Sequence, residues 1–192
     1  MKNKLKLTMV ILSLLIVPII AYHTMIWMYI ALYRGNESYP EVTYGEFPFE
    51  LVYELDGEIK RIEDTIICEF SGFKFGGTRG TMRVWNMRYK SGRDELLLLD
   101  LKEDLAMDKW GNKILSISFY PGNAEYYMDD ERKENQRKSI LTEFTYISQR
   151  NNGDLGKSVF SADEAWDKYK IRLISWECSP PIENKFKQNN NQ

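Results

Sequence analysis

An apolar run from Leu7 to Tyr33 dominates this sequence, uncharged throughout if His23 is neutral, with Lys2, Lys4 and Lys6 in front of it. As a helix, its 27 residues would extend about 40 Å at ~1.5 Å per residue, more than a hydrocarbon core of ~30 Å requires. It is too long, and apolar on too many faces, for the core helix of a single domain. A cleaved signal peptide has an apolar stretch of only ~7–15 residues followed by a small-residue site. Here Ala21 is followed by Tyr22 and His23, and no cysteine near the end of the run offers a lipid-anchor site. The expectation is a cytoplasmic stub and uncleaved signal-anchor helix over 1–34, spanning the bilayer with residues 7–33 and kinked at Pro18. Trp27, Tyr29, Tyr33 and Arg34 then form the far membrane interface. His23 falls about one turn below that interface, as a neutral imidazole with no ionisable partner in the span.

The lysine-rich end is expected to stay in the cytoplasm, so the C-terminal domain faces outward. Removing the three lysines leaves 23 Lys+Arg against 28 Asp+Glu, a charge of −5 for the exported part. That acidity argues against electrostatic binding to nucleic acid, teichoic acid or an anionic lipid surface as the main role.

Residues 35–45 read as a linker punctuated by Gly35, Asn36, Pro40 and Gly45. From Phe47 the pattern turns to period two: Phe47, Phe49, Leu51, Tyr53 and Leu55 predict a half-buried strand. Asp56-Gly57 predicts a tight hairpin turn, and a return strand from Glu58 to about Phe70 puts Ile66, Cys68 and Phe70 on one face. A second hairpin is expected over Met82–Leu101, turning at Ser91-Gly92-Arg93-Asp94, although residues 82–90 also suit a helix. Gly111-Asn112 marks a turn before a strand over Ile114–Tyr120, with Leu115, Ile117 and Phe119 on one side. A short helix is expected around Tyr126-Tyr127-Met128, then a strand over Ile140–Ser148. Ser161-Ala162-Asp163-Glu164 fits a capping box, opening a helix to about Lys170 with Ala165, Trp166 and Tyr169 inward. A last strand covers Ile171–Cys178. These elements predict an α+β, mainly antiparallel domain over 46–187 and a disordered tail over 188–192.

His23 is the only histidine, which removes Ser-His-Asp, Cys-His and histidine-based metalloprotease chemistry from the domain. Gly72–Gly80 and Gly156-Lys157-Ser158 imitate phosphate loops; both read as turns, since the first lacks a following Gly-Lys-Ser/Thr and Asn151 stands where the second needs glycine. Glu63-Asp64, Asp100 with Asp104, and Asp129-Asp130-Glu131 are candidate carboxylate pairs for a hydrolase, with solvated charge as the default reading; none matches a calcium loop. A serine–lysine dyad leaves no local spacing to test. No cofactor or metal site is expected. Cys68 and Cys178 share strand faces with Ile66 and Phe70, and with Ile174 and Trp176. They either bridge or pack as small buried hydrophobes, and the second reading is preferred. Trp85, Trp110, Trp166 and Trp176 either line a sugar or peptide site or belong to the core.

The run Phe47–Glu58, the segment from Ile62-Glu63-Asp64-Thr65 to Phe73, and Leu173-Ile174-Ser175-Trp176-Glu177 with Ser179-Pro180-Pro181-Ile182-Glu183-Asn184 carry a likeness. Over most of 47–186 the chain resembles a family of short, single-pass, membrane-anchored bacterial proteins with no assigned activity, the ending being the specific part. The resemblance implies proline where this chain has Cys178, so a Cys68–Cys178 bridge would not be a family feature. The functional expectation is a non-catalytic, extracytoplasmic domain of the bacterial cell envelope that binds a protein or glycan partner. The alternative is a carboxylate-dependent hydrolase acting on cell-wall material.

Overall fold

The computed structural model describes residues 15–29, 38–76, 80–103, 106–130 and 143–187. In chain order its elements are helix α1 (15–29), β1 (Tyr39–Pro40), β2 (Tyr44–Leu55), β3 (Glu58–Phe75), β4 (Thr81–Tyr89), β5 (Leu96–Asp100) and β6 (Lys113–Tyr120). There follow α2 (Ala124–Tyr127), β7 (Glu143–Gln149), β8 (Leu155–Phe160), α3 (Ala162–Tyr169), β9 (Ile171–Cys178) and β10 (Phe186–Lys187). The sheets are mainly antiparallel and the helices few, an α+β architecture. The chain forms two compact units, one of Met1–Tyr39, Ser71–Val84 and Phe186–Gln192, the other of Pro40–Phe70 and Trp85–Lys185.

In the smaller unit, α1 exposes every side chain except the half-covered Ile26. Near the C-terminus of that unit the Arg83 guanidinium lies 4.1 Å from the centroid of the Phe186 ring and donates to the Ser38 carbonyl at 3.0 Å.

The larger unit is built on two four-stranded sheets, ordered β4-β3-β2-β9 and β5-β6-β7-β8. Phe47, Phe49 and Leu51 from the first and Ile114, Ile117 and Phe119 from the second enter one buried core. Trp176 joins the two, its ring 4.9 Å from Phe49 and 4.9 Å from Phe119. The β2–β3 hairpin follows directly from local chemistry: Asp56 and Gly57 have φ of 52° and 84°, the two left-handed residues that a two-residue turn requires. Pro48 interrupts a central strand, where a missing N–H ordinarily breaks a ladder. Here the ladder with β9 ends at the Phe49–Cys178 pair, so only Pro48's carbonyl is needed on that side, and it accepts the Ser179 N–H at 3.0 Å.

Two strands change phase where one residue is inserted. On β6 the partners jump from Ile114–Ser148 to Ser116–Ile147, which leaves Leu115 as a bulge. Ile114, not the expected Leu115, is therefore buried with Ile117 and Phe119. On β9 the pairing steps from Tyr53–Leu173 to Val52–Ser175, and Ile174 is the extra residue. It is exposed, while Trp176 and Cys178 turn toward the core that Ile171 and Leu173 also face. The expected grouping of Ile174 with Cys178 is corrected by the same cause.

Further expectations change. Residues 91–94 do not close a hairpin, because β4 and β5 belong to different sheets and this segment crosses between them. Residues 156–158 are not a turn; Gly156, Lys157 and Ser158 lie in β8, a strand the sequence pattern did not announce, paired along its length with β7. Gly72 likewise lies within β3, which runs to Phe75. Residues 82–90, open between helix and strand, are strand up to Tyr89. Tyr39–Pro40 and Tyr44–Gly45, inside the segment read as a linker, are in strands. The tail over 188–192 lies outside the described residues.

Both short helices of the larger unit form where they were expected, and the cap of the second was legible in the sequence. Asn123 caps α2 by accepting the Tyr126 N–H. Ser161 and Glu164 make the reciprocal capping box of α3, and Lys170 ends it in a left-handed conformation with φ 53°. β9 starts at the next residue.

Candidate ligand-binding cleft

The candidate carboxylates are taken up by structure. Asp64, whose side chain is almost fully covered, accepts the N–H groups of Thr65 and Ser91, the Ser91 hydroxyl and the Arg93 guanidinium. It thereby ties the sheet-crossing segment to β3. Asp130 is buried and accepts the Trp85 indole N–H at 2.7 Å. Asp129 accepts the Asn184 N–H at 3.3 Å, and the Asn184 amide in turn accepts the Val42 N–H at 3.0 Å and donates to the Val42 carbonyl at 2.9 Å. The side chain of Asn184 thus imitates a β-partner, a structural use for the ending Ser179–Asn184. Asp100 accepts the Lys102 N–H at 3.0 Å. Asp104 and Glu131 lie outside the described residues.

Glu63 has a different setting. In the strand registers Glu50 is opposite Glu63 on one side and Glu177 on the other, so three carboxylates stand abreast across β3, β2 and β9. They border an open groove of about 580 Å³ with Pro48 and Ser179. Arg61 pairs with Glu50 and lies 3.9 Å from Glu63, offsetting part of the like-charge repulsion. A general acid at neutral pH needs a carboxyl with a raised pKa. Among the described residues the shifted carboxyls, Glu46, Asp64, Asp100 and Asp108, are all held below their ordinary values. Also among the described residues, no group of three or more His, Cys, Asp or Glu side chains could hold a metal ion.

Cys68 and Cys178 are free thiols. They stand on β3 and β9, which flank β2 from opposite sides. Two interstrand spacings put their Cα atoms at least ~9 Å apart, beyond the ~7 Å a disulfide spans. Burial pushes the Cys68 thiol up to about 12, and burial also raises Cys178, whose sulfur lies 3.9 Å from the Tyr127 hydroxyl.

The four tryptophans of the domain divide. Trp85 is buried, and Trp176 is half-buried between the sheets. Trp166 is half-buried, with the Arg172 guanidinium 5.0 Å from its ring centroid. Trp110 is 64% exposed. Its turn is fixed from within: Asp108 Oδ1 accepts the N–H groups of Trp110 at 2.9 Å and Asn112 at 2.8 Å, and Oδ2 accepts Asn112 Nδ2 at 2.9 Å. Burial works to raise the Asp108 carboxyl, but hydrogen bonds from Asn112, Trp110 and Ser148 outweigh it and hold the group ionised. Gly111, at φ 78°, supplies the left-handed residue that closes the turn.

The indole borders a cleft of about 230 Å³. Its floor is the stacked pair Tyr146 and Phe160, with centroids 4.3 Å apart, and Val159 adds an exposed apolar side chain. The far wall is α3, where Glu164 and Lys168 face each other at 3.8 Å. Lys109 Nζ lies 4.4 Å from the Trp110 ring centroid and makes no ion pair among the described residues. Trp110 was one of four tryptophans that the sequence singled out. Lys109, Ser158, Val159 and Phe160 were missed, because the last three lie on the unread strand β8. The signal available was Asp108 with Gly111-Asn112, a side-chain-capped turn that puts whatever follows Asp108 at the surface.

Of the membrane-interface residues, Trp27 is 70% exposed and Tyr29 is exposed on α1. Tyr33 and Arg34 lie outside the described residues. Among the described residues no helix is long and apolar enough to cross a membrane. Compared with known proteins, the chain matches no family model, no curated protein and no solved structure.

Proposed function

We propose that this chain is a non-catalytic binding domain of the bacterial cell envelope. It is held to the membrane by a single N-terminal span, faces outward, and engages a protein or glycan partner through the cleft beside Trp110. The observation that carries the reading is a largely exposed indole, borne on a backbone that the Asp108 turn fixes, at the mouth of a cleft with mixed polar and apolar walls. An exposed aromatic on a fixed backbone contributes little to the core and loses less entropy on binding than one on an unfixed loop. The anchor rests on the apolar run over 7–33 and on α1, whose apolar side chains are exposed apart from the half-covered Ile26. The hydrolase reading draws no support from the described carboxyls with displaced pKa values, all of which are held below their ordinary values.

The test is protease shaving of wall-stripped cells that carry a C-terminal epitope tag, with a cytosolic protein as control. Loss of the tag while the control survives is the expected result. A tag protected until lysis would overturn both orientation and envelope role.

A further inference from the structure

The Trp110 cleft points to a ligand class. We infer that it takes a saccharide bearing a carboxylate, with one sugar ring against the indole and its anion on Lys109. This deepens the binding reading above and rests on it.

Three observations converge. The first is size: about 230 Å³ is below the ~300–1,000 Å³ that encloses a drug-sized ligand, so one ring-sized unit enters and the rest of the ligand stays outside. The second is the distribution of polarity. A pyranose has an apolar C–H face and a rim of hydroxyls. The cleft offers one exposed indole and, around it, the Ser158 hydroxyl and the Glu164 and Lys168 charges of α3. A buried apolar side chain from a peptide would leave that rim without partners.

The third observation is charge. Both oxygens of Asp108 are occupied by its own turn. Glu164 is engaged by Lys168 and by the Ser161 N–H of the helix cap. Lys109 is the cation left over, placed over an aromatic face and free of carboxylates among the described residues. An incoming carboxylate gains a charge-assisted hydrogen bond there without breaking an ion pair in the protein. The domain's overall acidity disfavours highly charged polyanions. The carboxylate of a single sugar unit needs only this one local cation.

The experiment titrates the full chain in detergent micelles with the methyl glycoside of galacturonic acid, which carries one carboxylate, and, separately, with the methyl ester of that glycoside, following tryptophan fluorescence and calorimetric heat. The acid is expected to bind at least about tenfold more tightly than the ester, the advantage of one charge-assisted contact. Trp110→Ala removes binding of both. Lys109→Gln lowers the acid to the affinity of the ester and leaves the ester unchanged. Since Lys109 is outside the core, that variant keeps the wild-type unfolding midpoint and serves should Trp110→Ala fold poorly. Equal affinity for acid and ester, or a Lys109→Gln variant that still prefers the acid, overturns the inference. Retention of the detergent-solubilised chain on membrane-free, detergent-extracted envelope, measured in parallel, separates the two levels. If Trp110→Ala releases the protein from that material while acid and ester bind alike, the binding reading stands and the acidic-sugar assignment falls. If Trp110→Ala changes neither retention nor titration, both fall.

Discussion

Asn184 offers the sharpest test of how the C-terminal segment is held. Its side chain is 8% exposed and makes two hydrogen bonds to the backbone of Val42, which is 142 residues away in sequence. Asn184→Ala removes both, each worth ~0.5–1.5 kcal/mol net, so about 2 kcal/mol in all. For a domain of this size that lowers the unfolding midpoint by roughly 4–8 °C. Asn184→Asp is the more informative change. It preserves the acceptor for the Val42 N–H but replaces the donor with a second acceptor facing the Val42 carbonyl, and the Asp129 carboxylate is already bonded to the Asn184 N–H. At neutral pH the introduced charge is uncompensated and costs about 3–5 kcal/mol. The folded state thereby raises the pKa of this group above its unfolded value of ~3.9. Below that value the group is protonated in both states, its O–H can donate to Val42, and most of the penalty disappears; the penalty returns as pH rises through the folded pKa. Guanidinium unfolding followed by near-ultraviolet circular dichroism, at about pH 4 and pH 7, reads the difference. The Asp variant should fall below the Ala variant at pH 7 and rise above it near pH 4. Equal stability of the two variants at both pH values would refute the claim that the amide bridges Val42.

Other consequences follow from buried polar contacts. Trp85→Phe keeps the ring but deletes the indole N–H given to Asp130 at 2.7 Å, and is expected to cost about 1.5–3 kcal/mol in a denaturant titration; a loss under ~0.5 kcal/mol would contradict the bond. Cys68, with its thiol at about 12, should resist iodoacetamide at pH 8.5 until denaturant is added, as read by mass spectrometry; native-state alkylation would contradict its burial. Burial raises Asp64, but bonds from Ser91, Thr65 and Arg93 lower it further, so its folded pKa is depressed. Its stabilisation is present above ~3.9 and is lost as pH falls through the folded value. Asp64→Asn should therefore flatten the acid limb of the stability–pH curve, and parallel limbs for the two proteins would exclude that role.

Some of this architecture was legible because its cause is local. Asp56-Gly57 has no better use than a two-residue turn, and the alternation on both sides of it fixes β2 and β3 as partners. Ser161 and Glu164 satisfy each other's backbone donors within one turn, so α3 could be placed to a residue at its start. Other expectations failed where strand parity was assumed to continue. An inserted residue at Leu115 or at Ile174 flips every side chain after it to the other face, and nothing in either strand's own composition marks the insertion. β8 was invisible for a related reason. Leu155 and Val159 are exposed, so this edge strand carries little apolar signal and is held by pairing with β7.

The candidate site divides in the same way. Composition and spacing alone established an apolar run of transmembrane length, a domain without histidine, four tryptophans outside that run, and a turn at Gly111-Asn112. They could not rank the four tryptophans, because exposure depends on which strands lie opposite. Only the tertiary structure put Trp85 against Asp130, wedged Trp176 between two sheets and left Trp110 open beside β8 and α3. The same holds for the carboxylates, which look alike in sequence and separate into buried pins such as Asp64 and Asp130 and an exposed row such as Glu63 and Glu177. Turns and caps are decided within a few residues by backbone sterics and nearby donors. Burial and charge environment are decided by contacts between residues distant in the chain, whose pairing the linear order does not encode residue by residue.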